Sequence, residues 1–313
     1  MIWLWAVACA PAPVDRPPPG PGWSSAPALL APLQEHSVVA LDGIVYVVGG
    51  YDERVLIVDR FEAFDPVTRR WEARAPLPAP VHHANAAAVD GQIHVVGALG
   101  EGFEELPVVW TYDPATDSWT HRERLPTDRA VGASGVGVLN GRIHLVGGLQ
   151  GVRSVDLHTA WDPATGAFET RAPMPTARDH LAAGVADGVL VAAGGRDGGL
   201  TDLTDAVERY DPDTDQWTAG APIPTARAGV AAAVGPQGQL HVLGGEGNHS
   251  DADGVFAEHE AYDVAADTWV DLGAMRTPRH GNGAAWVGDQ LWVPGGADVQ
   301  AFAAVDTHEE WTP

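Results

Sequence analysis

Arg129, Arg178, Arg227 and Arg279 each stand ten residues after an aromatic side chain, namely Trp119, Phe168, Trp217 and Trp269. Two of them close the same tetrapeptide, Pro-Thr-Ala-Arg, at 175–178 and 224–227. A guanidinium is a planar fork that fits a carboxylate or a phosphate. Histidines crowd the same segments: His36, His82, His83, His180 and His280. An imidazole titrates near neutrality and can give or take a proton. These residues together predict a face that binds an anionic group, with Arg178 its strongest member because Asp179 and His180 flank it. If the face is catalytic, Glu35, His180 or His280 is the acid or base. The arginines also have a structural reading: each can pair with a neighbouring Asp or a loop carbonyl inside the fold. Leu33 and Val81 fill the slot in the first two repeats.

The bulk composition narrows the partner. Lys plus Arg is 18 and Asp plus Glu is 42, a net charge of −24. Such a body repels nucleic acid and anionic membrane surfaces, so neither is expected as a partner. Anion binding must then come from a short-range cluster, where screening is incomplete. His94, His144 and His241 fill one slot that elsewhere holds Tyr46 or Trp292, which reads as aromatic packing in a strand. One cofactor is worth testing, calcium. The segment 249–260 carries Asp251, Asp253 and Glu260 at the spacing of a calcium loop, but His249 takes the first place, where a carboxylate is expected. A solvated acidic loop explains the same residues. No nucleophile motif or Gly-rich phosphate loop is visible.

The elements that must position these residues are repeated. Apolar runs end in a glycine signal at Gly49, Gly97, Gly147, Gly194, Gly244 and Gly295, with spacings of 47 to 51 residues. Each repeat reads as four strands, a to d. Strands a and b are joined by Asp42-Gly43, Asp90-Gly91, Asn140-Gly141 or Asp187-Gly188, the dipeptides of a tight two-residue hairpin. Strand c ends in signatures such as Tyr-Asp-Pro-Ala-Thr-Asp-Ser-Trp (112–119), where Asp-Pro starts a type I turn and the aromatic opens strand d. Strands alternate in direction, so the b–c and d–a loops share one face. That face carries the arginines and histidines above.

Six such units resemble the kelch repeat family, bacterial secreted or lipoprotein type. The resemblance covers about Trp23 to the C-terminus. It implies an all-β fold: a six-bladed kelch-type β-propeller, four antiparallel strands per blade, closed by an N-terminal strand. The departures are Ala98 for a glycine, Phe168 for a Trp, Val264 for the turn Pro, and Pro294 inside a strand b, where it removes a ladder donor. The last repeat runs out after strand c. Trp23 lies 20 residues before Gly43, as Trp71 lies 20 before Gly91, so Trp23 is expected to open the missing strand. Trp311 is the rival for that place. The family resemblance implies a binding module whose loop face takes a protein, peptide or glycan partner, and a monomer. The alternative is an enzyme acting on an acidic sugar, since the secreted bacterial six-bladed kelch proteins that are sialic acid mutarotases look like this. Galactose oxidases resemble it only in the repeat; they need a Cys bonded to Tyr at copper, and Cys9 lies outside the repeats.

Residues 1–9 read as a lipoprotein-type signal peptide. Ala-Val-Ala-Cys (6–9) resembles a lipobox, although the preceding segment has no Lys or Arg. Cys9 would carry the lipid, residues 10–22 form a Pro-rich tether, and 23–313 form the propeller. The expected location is the bacterial cell envelope, with membrane contact through the lipid alone.

Overall fold

The computed structural model describes residues 18–313. The lipobox and most of the tether lie outside the described residues. Six four-stranded antiparallel sheets form the molecule. The first is Ser37–Leu41, Ile44–Val48, Phe61–Asp65 and Arg70–Ala73; the fourth is Ala182–Ala186, Val189–Ala193, Val207–Asp211 and Gln216–Ala219. In the sixth, Ala285–Val287, Gln290–Pro294 and His308–Trp311 are completed by Trp23–Ser25, with Trp23 opposite Trp311. Trp311 therefore belongs to strand c and Trp23 to strand d. Each strand a touches the strand a of both neighbouring blades, so the six close a ring about one axis. Closure pairs the third strand of the sixth blade, which would otherwise be a free edge.

The repeat signature works by gripping the neighbouring blade. The Asp117 carboxylate accepts from Tyr112 Oη at 2.7 Å and from the Ala75 amide at 3.0 Å, while Trp119 Nε1 donates to the Ala75 carbonyl at 3.0 Å. Asp215, Tyr210 and Trp217 hold Ala172 in the same way. One residue of each preceding blade is thus held on both its polar atoms by the next. The hairpin dipeptides have the positive φ angles expected of them, 50° and 80° at Asp42 and Gly43. The irregular units also behave physically. Ala98 lies in a strand lengthened to Gln92–Leu99, with a register shift between Val96 and Ala98. Pro294 ends its strand, and the strand a beside it is cut to Ala285–Val287. At the end of the tether, Pro19 and Gly20 lie on Ala274 of the fifth blade, with Gly20 donating to its carbonyl at 2.8 Å.

Candidate functional site

Each d–a loop reaches the axis through one residue with left-handed backbone. These are Glu35, His83, Ala133, His180, Gly229 and Gly281, with φ between 48° and 65°. Their peptide groups form a closed belt. The N–H of His83 donates to the Glu35 carbonyl at 2.9 Å, Ala133 to His83 at 3.1 Å, and His180 to Ala133 at 3.0 Å. Gly229 donates to His180 and Gly281 to Gly229, both at 2.9 Å, and Glu35 closes the circle on Gly281 at 2.6 Å. A left-handed residue with a side chain costs about 1–2 kcal/mol. The belt's hydrogen bonds hold it there, and the geometry aims the side chains at the axis. Glycine at 281 leaves the Glu35 carboxylate its place: a Cβ there would lie 2.5 Å from Glu35 Oε1 and displace it. Small residues at three belt positions leave the space to Glu35, His83 and His180.

These three side chains meet over an axial cavity of about 210 Å³, to which all six blades contribute and which Ser134 and Asn282 also line. His83 Nε2 lies 2.8 Å from His180 Nε2 and 3.0 Å from Glu35 Oε2. Behind them stands a second layer. His180 Nδ1 bonds the Asp179 carboxylate; Arg196 lies 3.2 Å from both Asp179 Oδ1 and His180 Nε2 and also pairs with Glu246. His280 Nδ1 is 3.4 Å from Glu35 and 3.7 Å from Glu246, with its Nε2 on the Val299 carbonyl at 3.1 Å. His82 Nδ1 bonds His83 Nδ1, and His82 Nε2 is 2.9 Å from both Tyr51 Oη and the Gly100 carbonyl. Asn282 is 6% exposed, yet neither its amide nitrogen nor its oxygen has a partner among the described residues.

The charge states follow from these contacts. Burial pushes the Glu35 carboxyl up, but His83 and His280 outweigh it and hold the group well below its ordinary value. Burial opposes charge on His280, but Glu35 and Glu246 raise its pKa nonetheless. Burial and then Arg196 lower His180, against the pull of Asp179. Burial alone dominates His36 and His82, which fall to about 4 and about 3.

The expected basic mouth is corrected here. Arg178, Arg227 and Arg279 are fully buried and do not face the cavity. Each guanidinium turns into its own blade, onto a strand-c glutamate: Arg178 with Glu208 at 3.0 Å, Arg227 with Glu260, and Arg279 with Glu309 at 3.3 Å. Arg227 and Arg279 also bond backbone carbonyls, such as Gly244 at 2.8 Å and Thr307 at 2.8 Å. They fasten loop to blade and have no face left for a ligand. Arg129 does not occupy the slot its spacing suggests. The 3₁₀ turn Thr127–Arg129 lengthens its loop, so Val131 takes the buried position and Arg129 lies near the surface beside Asp128 at 3.6 Å. Of the histidines, His83 and His180 face the cavity. His82 and His280 support them, and His36 turns to the Pro294 carbonyl at 3.0 Å. The calcium reading loses its twelfth residue, because Glu260 is a buried strand residue committed to Arg227 and Thr225. The sequence reading missed Arg196, Glu246 and Asn282. Their signal was weak: Arg196 and Glu246 each follow a double glycine, a position held elsewhere by Tyr51 and Ala297.

This arrangement defines a six-bladed β-propeller with an axial mouth. The Kelch motif family model matches residues 32–78 and 177–224. The Kelch-like protein terF of Aspergillus terreus is 32% identical over 195 residues, 60% of this chain and 42% of that protein. The chain thus spans less than half the length of that relative. The structure of YjhT is similar in fold, with a TM-score of 0.77 at 18% identity, covering 91% of this chain and 96% of that one. The signature recurs around the ring, and the chain is similar to the kelch-repeat β-propellers in its repeats and its fold.

Proposed function

We propose that this propeller is a binding module that takes a hydroxyl-rich ligand, of the glycan class, in its axial mouth. The observation that carries the reading is Asn282. A buried amide without partners lacks both a donor and an acceptor contact, and vicinal hydroxyls supply both. Glu35 adds an acceptor nearby, on a rigid belt that lowers the ordering cost of binding. An anion is a weaker candidate than the sequence suggested, since the one guanidinium at the mouth, Arg196, is already held by Asp179 and Glu246. A screen of mono- and oligosaccharides by ligand-observed NMR should find binders. Asn282→Ala should weaken them about tenfold, since the loss of a buried pairing is worth about 1–3 kcal/mol. Unchanged affinity in Asn282→Ala would overturn the reading. Tethering by Cys9 in the envelope belongs to the same proposal, and Cys9→Ala should release the protein from the membrane fraction.

A second reading is an enzyme acting on an acidic sugar. The Asp179–His180 pair favours it, because a carboxylate on Nδ1 orients the ring for proton transfer at Nε2. Conversion of a bound sugar by the wild type, lost in His180→Gln, would establish it.

A further inference from the structure

Two imidazoles and a carboxylate converge at the mouth. The Asp179 carboxylate takes the proton of His180 Nδ1, which leaves a lone pair on His180 Nε2, with Arg196 Nη2 3.2 Å from it. His83 Nε2 faces the same nitrogen at 2.8 Å and the Glu35 carboxylate at 3.0 Å. All three side chains are about nine-tenths buried and line the axial cavity. Such a cluster offers a positive centre three ligand atoms and an open side.

We propose that Glu35, His83 and His180 bind a first-row transition-metal dication of the zinc class, with one coordination position open to the axial cavity. Two imidazoles and a carboxylate suit such an ion, and three protein ligands with a free fourth position make a reactive rather than a structural site. The candidate ligand atoms all lie within 4.8 Å of one another. Metal bonds of about 2.0–2.1 Å place tetrahedral ligands about 3.3 Å apart, so the rings need to part by only about half an ångström. The outer partners match the ion's needs as well. Asp179 fixes the tautomer of His180, and His82 Nδ1 bonds His83 Nδ1, so each ring is oriented from behind. Around the centre, Glu35, Asp179 and Glu246 outnumber Arg196 and the His280 ring in charge. The open position takes an oxygen ligand: water, or a hydroxyl or carboxylate of the molecule in the cavity. Only that last clause rests on the binding reading above.

A proton is the competing positive centre, since a doubly protonated His83 could donate to Glu35. The test is a calorimetric titration of the chelator-treated full chain with Zn²⁺ and, separately, Co²⁺, in the absence of any sugar. The expected result is one tight equivalent of each metal, with visible ligand-field absorption for Co²⁺. Glu35→Gln, His83→Gln and His180→Gln should each weaken binding about 100-fold or more. Asp179→Asn should weaken it about 10- to 100-fold, as outer-shell changes do. His249→Gln, on an exposed loop, should leave it unchanged. Thermal melts of the metal-free variants check folding, and the near-isosteric Glu35→Gln decides if a histidine variant fails to fold. Absence of a stoichiometric equivalent, or one retained in Glu35→Gln, would overturn the proposal and leave the proton in place. Sugar binding repeated with chelator separates the two readings. Binding that persists without metal sinks the metal's part in the ligand site alone. A metal site with no sugar binder in the screen sinks the glycan reading alone.

Discussion

Two pairs of buried histidines in this molecule meet at the same distance and differ in kind. In the third blade, His144 Nδ1 lies 2.8 Å from His158 Nε2. His158 Nδ1 reaches the Ala172 carbonyl at 3.2 Å, so it donates there and its Nε2 accepts from His144. The chain of donors runs one way and every step is satisfied. In the mouth, His83 and His180 also meet at 2.8 Å, but Glu35, Asp179 and Arg196 crowd the pair with charge. The blade pair resembles core packing, with His158 edge-on to Tyr210 at 4.5 Å. The mouth pair opens onto the axial cavity. Histidine content alone does not mark a site; the charged groups around the rings and the cavity beside them do.

The largest difference should be seen in acid. Burial holds His94, His144 and His241 at about 4, and His158 and His308 at about 3. Their unfolded value is about 6.5. A depressed folded value means the unfolded chain binds more protons below that pH. The contribution to stability is therefore complete above about pH 6.5 and is lost as pH falls toward 4 and then 3. Melting temperature measured across that range should drop steeply, and a flat profile would remove the blade half of the comparison.

Next in size are the buried ion pairs. Arg227→Ala leaves the buried Glu260 charge with only the Thr225 hydroxyl, at a cost of about 3–5 kcal/mol. The double change Arg227→Met with Glu260→Leu should recover most of it, read by urea unfolding. Ligand binding at the mouth should not change in either. Glu35→Gln should do the reverse. Its effect on stability should be smaller than that of Arg227→Ala, because Gln keeps the shape and one acceptor oxygen of Glu, while ligand affinity at the mouth falls. The smallest effect tests the belt. Ala133→Gly replaces a strained left-handed residue whose φ is 53°. Relief of strain against lost chain entropy leaves a gain of about 0.5 kcal/mol. A loss would mean the belt does not strain its non-glycine members.

The fold was legible because repetition multiplies a weak signal. Tyr112, Asp117 and Trp119 recur as Tyr210, Asp215 and Trp217 because each set must grip a neighbouring blade. Closure through Trp23 followed from counting strands. The arginines were located but misread. Their burial depends on strand c, which supplies Glu208, Glu260 and Glu309 in the blades that have the arginine, and Trp110 and Thr159 at the same register in the two whose slot holds Val81 and Val131. The first blade makes the point again: Leu33 fills the slot, and Glu62 pairs with Arg60, just before its strand. That correlation was present in the sequence as glutamates some 30 residues downstream. Arg129 was misplaced because two extra residues in a loop defeat a fixed spacing.

The sequence by itself determined the number of blades, the strand that closes them and the face on which the loops gather, since each depends on periodic local choices of turn and apolar residue. The tertiary structure decided which polar groups stay inside the blades and which meet on the axis. Glu35, His83 and His180 are 48 and 97 residues apart along the chain, and no local pattern relates them. They meet because three different blades bring the same left-handed belt position to one point, and because glycine and alanine at the other three positions leave that point open.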